Sequence, residues 1–187
     1  FVFLDDVQYE KNSFINRNKI KTPKGAIWLT VPVKIKGHLS MSMREIEIDK
    51  SKKWQTAHLK TVYLNYKKAG RFEMCYSKLE KLYEKEYQFL ADLCWDQLIF
   101  WLNEFRIDKR VIRSSELKSG EKKSGLILDI CKKLNANHYL SGVLGRNYLR
   151  EEEFKKNGIE IEYQDYKSHI YSQLWGDFIP NLGIIDL

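Results

Sequence analysis

No run of about 18 consecutive apolar residues occurs in this chain, so no membrane-spanning helix is expected. Nor is a secretory leader expected, since residues 1–187 hold no basic and then apolar stretch followed by a small-residue cleavage site. Cysteine is scarce: Cys75, Cys94 and Cys131 are odd in number, widely spaced and free of any C-x-x-C. That pattern excludes a zinc knuckle and a disulfide framework, and it leaves reduced core thiols, as in a cytoplasmic protein. No two histidines stand at i, i+4, so no metal site is expected. Neither G-x-G-x-x-G nor a Walker P-loop is present. No Cys–His or Ser–His–Asp spacing marks a covalent intermediate, and the sequence names no cofactor.

What is present fits a globular protein: 187 residues, 43% hydrophobic and 30% charged. That length suits one domain, or one domain carrying a helical insertion, with a core of its own. The net charge of +7 points to acidic partners. The lysines are dispersed, and Lys50-Ser51-Lys52-Lys53 and Glu121-Lys122-Lys123 read as solvated helix ends. The expected partner is therefore a nucleotide sugar or other phosphorylated small molecule, not nucleic acid. The chain opens at Phe1 without Met and stops at Leu187 inside an apolar run, so both native ends are expected to be missing.

Residues 1–4 are wholly apolar, as in a strand covered on both faces. Polarity then switches abruptly to Asp5, Asp6, Gln8, Asn16, Arg17 and Asn18. Ligands of open α/β sheets bind beyond the carboxyl ends of strands, and these side chains suit bidentate hydrogen bonding. The cluster is thus a candidate pocket wall in which one carboxylate pairs with Arg17. The plainer alternative is a solvated loop with Asp5 and Asp6 capping a turn.

Further along, residues 26–33 read as a strand that Pro32 brings to an end or an edge, and 45–49 alternate as a half-buried strand does. Asp49 or Ser51 is the expected cap of a following helix with Trp54, His58, Val62 and Tyr66 on one face. His58 is either a packed core histidine or a base facing a pocket. Residues 76–105 keep helical periodicity and predict two helices broken near Tyr87, or one long bent helix. Residues 50–106 together form the expected helical insertion. From 110 to 164, short strands (110–115, 137–141, 159–163) alternate with helices (124–134, 146–157). This order predicts βαβαβ, and hence an α/β fold with a parallel, Rossmann-like sheet. Ser115, Ser141, Gly142 and Gln164 would share one sheet edge with the cluster after Leu4. The glycines at 142 and 145, just before Arg146, either present backbone N–H groups to an anion or form a plain turn. The aromatic and polar tail, including Tyr171 and Gln173, reads as a loop or lid over that edge.

Phe-Val-Phe-Leu-Asp-Asp-Val-Gln-Tyr (1–9), Asn16-Arg17-Asn18 and Trp28-Leu29-Thr30-Val31-Pro32 resemble the WbqC-like proteins. So do Arg113-Ser114-Ser115-Glu116-Leu117, Tyr139-Leu140-Ser141-Gly142, Gly158-Ile159-Glu160-Ile161-Glu162-Tyr163-Gln164, Phe178-Ile179-Pro180 and Ile184-Ile185-Asp186-Leu187. These blocks stand in the family's order across essentially the whole chain. Departures fall in the tail, at Ser168-His169-Ile170, where His-Pro is common, and at Gly183, where Ser is usual. The resemblance implies a role among the genes for O-antigen and other surface polysaccharides, where some members are described as glycine or aminoacyl transferases.

Three functions follow as expectations. The first is a transferase that moves an aminoacyl (glycyl) or acyl group to an amino sugar of a sugar nucleotide, with Asp6 or His58 as base. Asn16, Arg17, Asn18 and the N–H groups near Gly142 would be the oxyanion donors. The second is a nucleotidyl-transferring or adenylating enzyme with Mg²⁺ on Asp5 or Asp6 and phosphates on Arg146 and Lys122. The third is a non-catalytic carbohydrate- or nucleotide-sugar-binding module. The ligand-binding set common to them is Asp5, Gln8, Asn16, Arg17, Asn18, Ser115, Ser141, Gly142, Arg146, Tyr171 and Gln173.

Overall fold

Trp54, His58, Val62 and Tyr66 recur every fourth residue, and these four are the buried stripe of the first helix. A computed structural model describes residues 1–187, the side chain of His38 excepted. Its elements run β1 (Val2–Phe3), β2 (Arg17–Thr22), β3 (Gly25–Thr30), α1 (Trp54–Tyr66), α2 (Phe72–Glu84) and α3 (Leu90–Glu104). They continue as β4 (Ile112–Arg113), α4 (Lys123–Lys133), β5 (His138–Ser141), α5 (Glu151–Lys156) and β6 (Glu160–Tyr163). The chain divides into two compact units, one of Phe1–Leu4 with Arg110–Lys167 and one of Asp5–Lys109 with Ser168–Leu187. Among the described residues no helix is long and apolar enough to cross a membrane.

In the larger unit, β2 and β3 form an antiparallel hairpin with Arg17 opposite Thr30 and Lys19 opposite Trp28. Pro23 stands in the connecting turn, and Gly25 takes a φ of +104°, where a side chain would be strained. Asn16 extends the pairing, because its carbonyl accepts from Val31 N at 2.8 Å. The β2–β3 pairing ends before Pro32, as the sequence implies, and the Pro32 carbonyl accepts instead from Asp49 N at 2.9 Å. The stretch 45–49 is extended but makes only isolated bridges, Val33 with Ile48 and Glu47 with Phe89.

The sequence expects a side-chain cap for α1 from Asp49 or Ser51. Asp49 instead accepts from the Ser51 N–H and hydroxyl, a local turn that consumes both groups, and α1 starts at Trp54 with Lys53 at its N-cap and no side-chain cap. The long helical region does break, over residues 85–89. Lys85 is extended there (φ −75°, ψ 132°) and Tyr87 is buried. Two cores result. Tyr9, Ile46, Ile48, Trp54, Leu90 and Leu93 build one, and Ile20, Val62, Tyr66, Phe72, Leu79 and Leu82 build the other.

In the smaller unit the expected order of strands and helices is present. β1 pairs parallel with β4, and β5 pairs parallel with β6. The architecture is mixed α/β, but the single Rossmann-like sheet is corrected: the strands form three separate two-stranded sheets. The cause is local. β4 ends after Arg113 because Ser114–Leu117 coil into a 3-10 turn, and two residues offer few ladder groups to a further neighbour. The expected helix over 146–157 is also split, into a 3-10 turn at Val143–Asn147 and the shorter α5. Phe154, Ile127, Cys131, Leu149 and Ile159 form the core of this unit.

Candidate functional site

The hairpin register decides which polar side chains gather in the larger unit. Residues at 17, 19 and 28 share a face because 17 and 19 are two apart on β2 and 28 lies opposite 19. Trp28 is 39% exposed, and its ring centroid lies 4.1 Å from the Arg17 guanidinium carbon and 4.9 Å from Lys19 Nζ. Phe14 packs on the same indole with centroids 5.1 Å apart. Arg17 is fixed further by Nε donating to the Ser13 carbonyl at 3.2 Å and by a second N–H donating to the Asn12 carbonyl.

Beside this hairpin lies a cavity of about 320 Å³. β2 supplies Arg17, Asn18, Lys19 and Ile20, α1 supplies His58, and α2 supplies Leu79, Leu82 and Tyr83. Leu90, Leu93, Cys94, Gln97, Leu98 and Trp101 come from α3, and 183–185 come from the tail. No Asp or Glu is among the lining residues. The volume lies at the lower end of small-molecule sites, which are mostly apolar with a few placed polar groups.

Each polar group of the wall has a definite state. Asn16 donates Nδ2–H to the Val31 carbonyl at 2.9 Å, so it pins the hairpin as well as lining the cavity. Asn18 Oδ1 accepts from Lys19 N at 2.8 Å, which leaves its amide Nδ2 as the outward donor. His58 is buried, with Nε2 at 3.1 Å from the Thr30 carbonyl. A carbonyl only accepts, so Nε2 carries the proton and Nδ1 is the basic nitrogen, 3.5 Å from the Tyr83 hydroxyl. Burial holds the imidazole below its ordinary pKa, a shift that its hydrogen bond to Thr30 only partly opposes. It is therefore neutral and basic at pH 7. Burial also pushes the Tyr83 phenol up to about 12 and the Cys94 thiol up to about 12, so neither ionises there.

The tail is fastened beside this cavity by a buried polar network. Lys21, although charged, is 1% exposed. Its Nζ donates to Gln173 Oε1 at 3.0 Å and to the Asp177 carbonyl at 2.5 Å. Asp186 accepts from Tyr66 at 2.6 Å, Tyr171 at 2.9 Å and Gln173 Nε2 at 2.7 Å. Gly183 fits against β2 because a Cβ there would stand 3.1 Å from the Lys19 carbonyl. Tyr171 and Gln173 thus point polar atoms at Asp186, and neither lines the cavity.

The remaining candidates fall elsewhere. Asp5 is buried and its carbonyl accepts from Arg44 N at 3.0 Å. Asp6 pairs with Arg44 (3.2 Å) where the sequence suggests Arg17, and Gln8 donates to the Leu39 carbonyl at 2.9 Å. The eighteen-residue cluster is therefore split. Its second half lines the cavity, and its first half packs on the loop that carries Leu39 and Arg44. In the smaller unit, Ser141 and Gln164 do share a strand end, with Gln164 N donating to the Ser141 carbonyl at 2.8 Å. Ser141 donates to the Gly142 carbonyl at 3.0 Å, Arg146 stacks on Tyr163 at 4.1 Å, and Ser115 sits in the 3-10 turn after β4. Among the described residues, no group of three His, Cys, Asp or Glu side chains is arranged to hold a metal ion.

Lys19, Trp28, Tyr83 and Gln97 escaped the sequence reading. Tyr83 and the leucines of α2 and α3 carry helical periodicity, which does not distinguish a packed core from a cavity wall. For Lys19 and Trp28 the missing signal was the strand β2, whose pairing brings them together.

A family model described as the WbqC-like protein family matches residues 1–187. The "Uncharacterized protein Rv1507c" of Mycobacterium tuberculosis is 33% identical over 189 residues, which cover 100% of this chain and 81% of that protein. No solved structure matches.

Proposed function

We propose, for this chain, which belongs to the WbqC-like protein family, a transferase function in the assembly of a surface polysaccharide. The family itself suggests polysaccharide biosynthesis. The finer reading is transfer of an acyl or aminoacyl group to the amine of an amino sugar carried on a nucleotide. One observation carries it: a neutral histidine, whose basic Nδ1 is met only by the Tyr83 hydroxyl at 3.5 Å, lines a small cavity together with Asn16, Arg17 and Asn18.

In this reading the amine nitrogen attacks the acyl carbon and a C–N bond forms. The bond from that carbon to its carrier breaks, and the carrier leaves with the electron pair. The proton released by the amine goes to His58 Nδ1, which is unprotonated at neutral pH because burial disfavours the cation. The Asn18 amide and the unused N–H groups of Arg17 are the donors for the developing oxyanion. The nucleotidyl-transfer reading has weaker support, because Asp6, one of its two metal-binding carboxylates, already pairs with Arg44.

The test is incubation of purified protein with nucleotide-linked amino sugars and activated acyl donors, followed by mass spectrometry of the sugar. Acylated product is expected. His58→Gln, which preserves a donor to Thr30, is expected to lower turnover by roughly 10²–10⁴-fold, the range for a lost general base. Product formation unaffected by His58→Gln removes His58 from the chemistry. Binding of nucleotide sugar without transfer from any donor leaves a binding module.

A further inference from the structure

The cavity walls and the cation pair beside Trp28 together specify a donor. We infer that the cavity takes an apolar acyl group bonded through oxygen to a phosphate, as in an acyl adenylate or acyl phosphate. The acyl chain lies among the leucines, and the phosphate lies against Arg17 and Lys19. This inference rests on the transferase reading of the same site.

Four observations converge on it. First, Leu79, Leu82, Leu90, Leu93, Leu98 and Trp101 dominate the inner wall. A sugar there would leave its hydroxyls without partners, whereas a hydrocarbon chain would lose nothing. Second, Arg17 and Lys19 both approach one indole, within 4.1 and 4.9 Å of its centroid, and neither has a carboxylate partner among the described residues. Two like charges gathered on one ring repel each other, and an anion bound between them relieves that repulsion.

Third, Arg17 and Lys19 both border the cavity, and their charged ends gather on Trp28 beside it. A phosphate held by this pair at the border stands close to the group inside. An acyl phosphate meets that condition. A pantetheine thioester, whose phosphates lie many bonds from its acyl carbon, does not. Fourth, the lining contains no Asp or Glu. The ammonium of an aminoacyl donor would sit beside two cations with no counter-charge, so a plain acyl group is specified. Size limits its length. At roughly 30 Å³ for each water-sized group, about 320 Å³ holds on the order of ten heavy atoms, which suits a medium chain and excludes a long isoprenoid.

The transfer step then balances without a further co-reactant. The amine of the sugar displaces the phosphate oxygen from the acyl carbon, and nucleoside monophosphate or inorganic phosphate leaves with the electron pair. His58 Nδ1 holds the proton.

The experiment is calorimetric titration of the full chain with unreactive acyl sulfamoyl adenosines, whose sulfamate stands in for the phosphate. Acetyl, octanoyl and hexadecanoyl forms are compared with a leucyl form, octanoyl-coenzyme A and undecaprenyl phosphate. Octanoyl sulfamoyl adenosine is expected to bind tightest, at least roughly tenfold tighter than the acetyl, hexadecanoyl and leucyl forms. Lys19→Ala, whose side chain makes no hydrogen bond among the described residues, is expected to weaken every sulfamate probe by roughly tenfold whatever its chain. Leu98→Trp is expected to abolish the chain-length preference while sparing the acetyl form. The wild-type series decides even if that variant fails to fold.

Affinity that is flat in chain length, absence of binding, tighter binding of the leucyl probe, octanoyl-coenzyme A or undecaprenyl phosphate, or indifference to Lys19→Ala overturns the inference. Chain-length-dependent binding without transfer to any amino sugar overturns the transferase reading and leaves the ligand assignment standing. Transfer from a glycyl or other aminoacyl donor does the reverse.

Discussion

The two units bury polar groups in different ways. In the smaller unit the buried polar side chains are three serines, Ser114, Ser124 and Ser141. Two of them have close local uses: Ser124 Oγ accepts from Arg150 N at 3.0 Å, and Ser141 donates to the Gly142 carbonyl. The larger unit buries, besides the Thr22 hydroxyl, Asp5, Asn16, Lys21, His58 and Asp186, groups that are ionisable or carry several hydrogen-bonding atoms. Burying such groups costs far more than burying a hydroxyl, so they persist only where a network satisfies them or where function requires them. The more regular pattern of strand and helix belongs to the smaller unit. The cavity, and the one buried histidine among the described residues, belong to the larger one.

The comparison breaks most easily at Asp186. Removing its carboxylate leaves Tyr66, Tyr171 and Gln173 without their shared acceptor, close to a buried lysine. Asp186→Ala is expected to destabilise the protein by about 2–4 kcal/mol, since it removes a buried carboxylate that accepts three hydrogen bonds. Ser124→Ala in the other unit is expected to cost about 1 kcal/mol. Urea unfolding of both variants checks the contrast, and equal costs would show that the two units bury polarity alike.

A second contrast lies within the smaller unit. A Cβ at Gly145 would meet Ser141 Oγ at 2.0 Å and Leu149 Cδ1 at 3.0 Å, whereas a Cβ at Gly142 meets nothing within 4 Å. Gly145→Ala is expected to cost about 1–3 kcal/mol through overpacking, and Gly142→Ala less than about 0.5 kcal/mol. Thermal unfolding measures both. This outcome would make Gly145 a packing device and Gly142 a plain turn residue, with no need for an anion.

His58 gives a pH signature specific to the larger unit. Its folded pKa is depressed by burial below the ordinary 6.5. The unfolded chain therefore binds the proton first, and stability is full above about 6.5 and falls as the pH drops below it. Between about pH 7 and pH 5 the wild type is expected to lose stability that His58→Gln retains. Parallel slopes in urea titrations of the two proteins would show His58 to be solvated. The smallest expected effect is that of Lys19→Ala on folding, within about 0.5 kcal/mol, because its side chain has no ion pair among the described residues.

What the sequence could show follows the range of the interactions involved. The stripe 54-58-62-66 is a local periodicity, and all four residues are buried as expected. The break near Tyr87 was legible for the same reason. β2 was not, because Arg-Asn-Lys-Ile-Lys-Thr holds a single large apolar side chain, Ile20, and shows no alternation. Its last three residues are nevertheless buried, since Lys21 N donates to Tyr66 Oη at 2.7 Å and the Lys21 ammonium reaches the tail more than 150 residues away. Such contacts leave no trace in neighbouring residues. The same limit explains why the cluster after Leu4 reads as one wall: nothing local reveals that Asp6 turns to Arg44 while Asn16, Arg17 and Asn18 turn to the cavity.

Hydrogen–deuterium exchange of the full chain with and without octanoyl sulfamoyl adenosine tests most directly that the ligand site lies in the larger unit. Protection is expected in the amides of 14–20, 79–101 and 183–185, which border the cavity, with 141–146 unchanged. Protection confined to 141–146 and 114–117, with the cavity segments unchanged, would contradict it and return the site to the strand ends of the smaller unit.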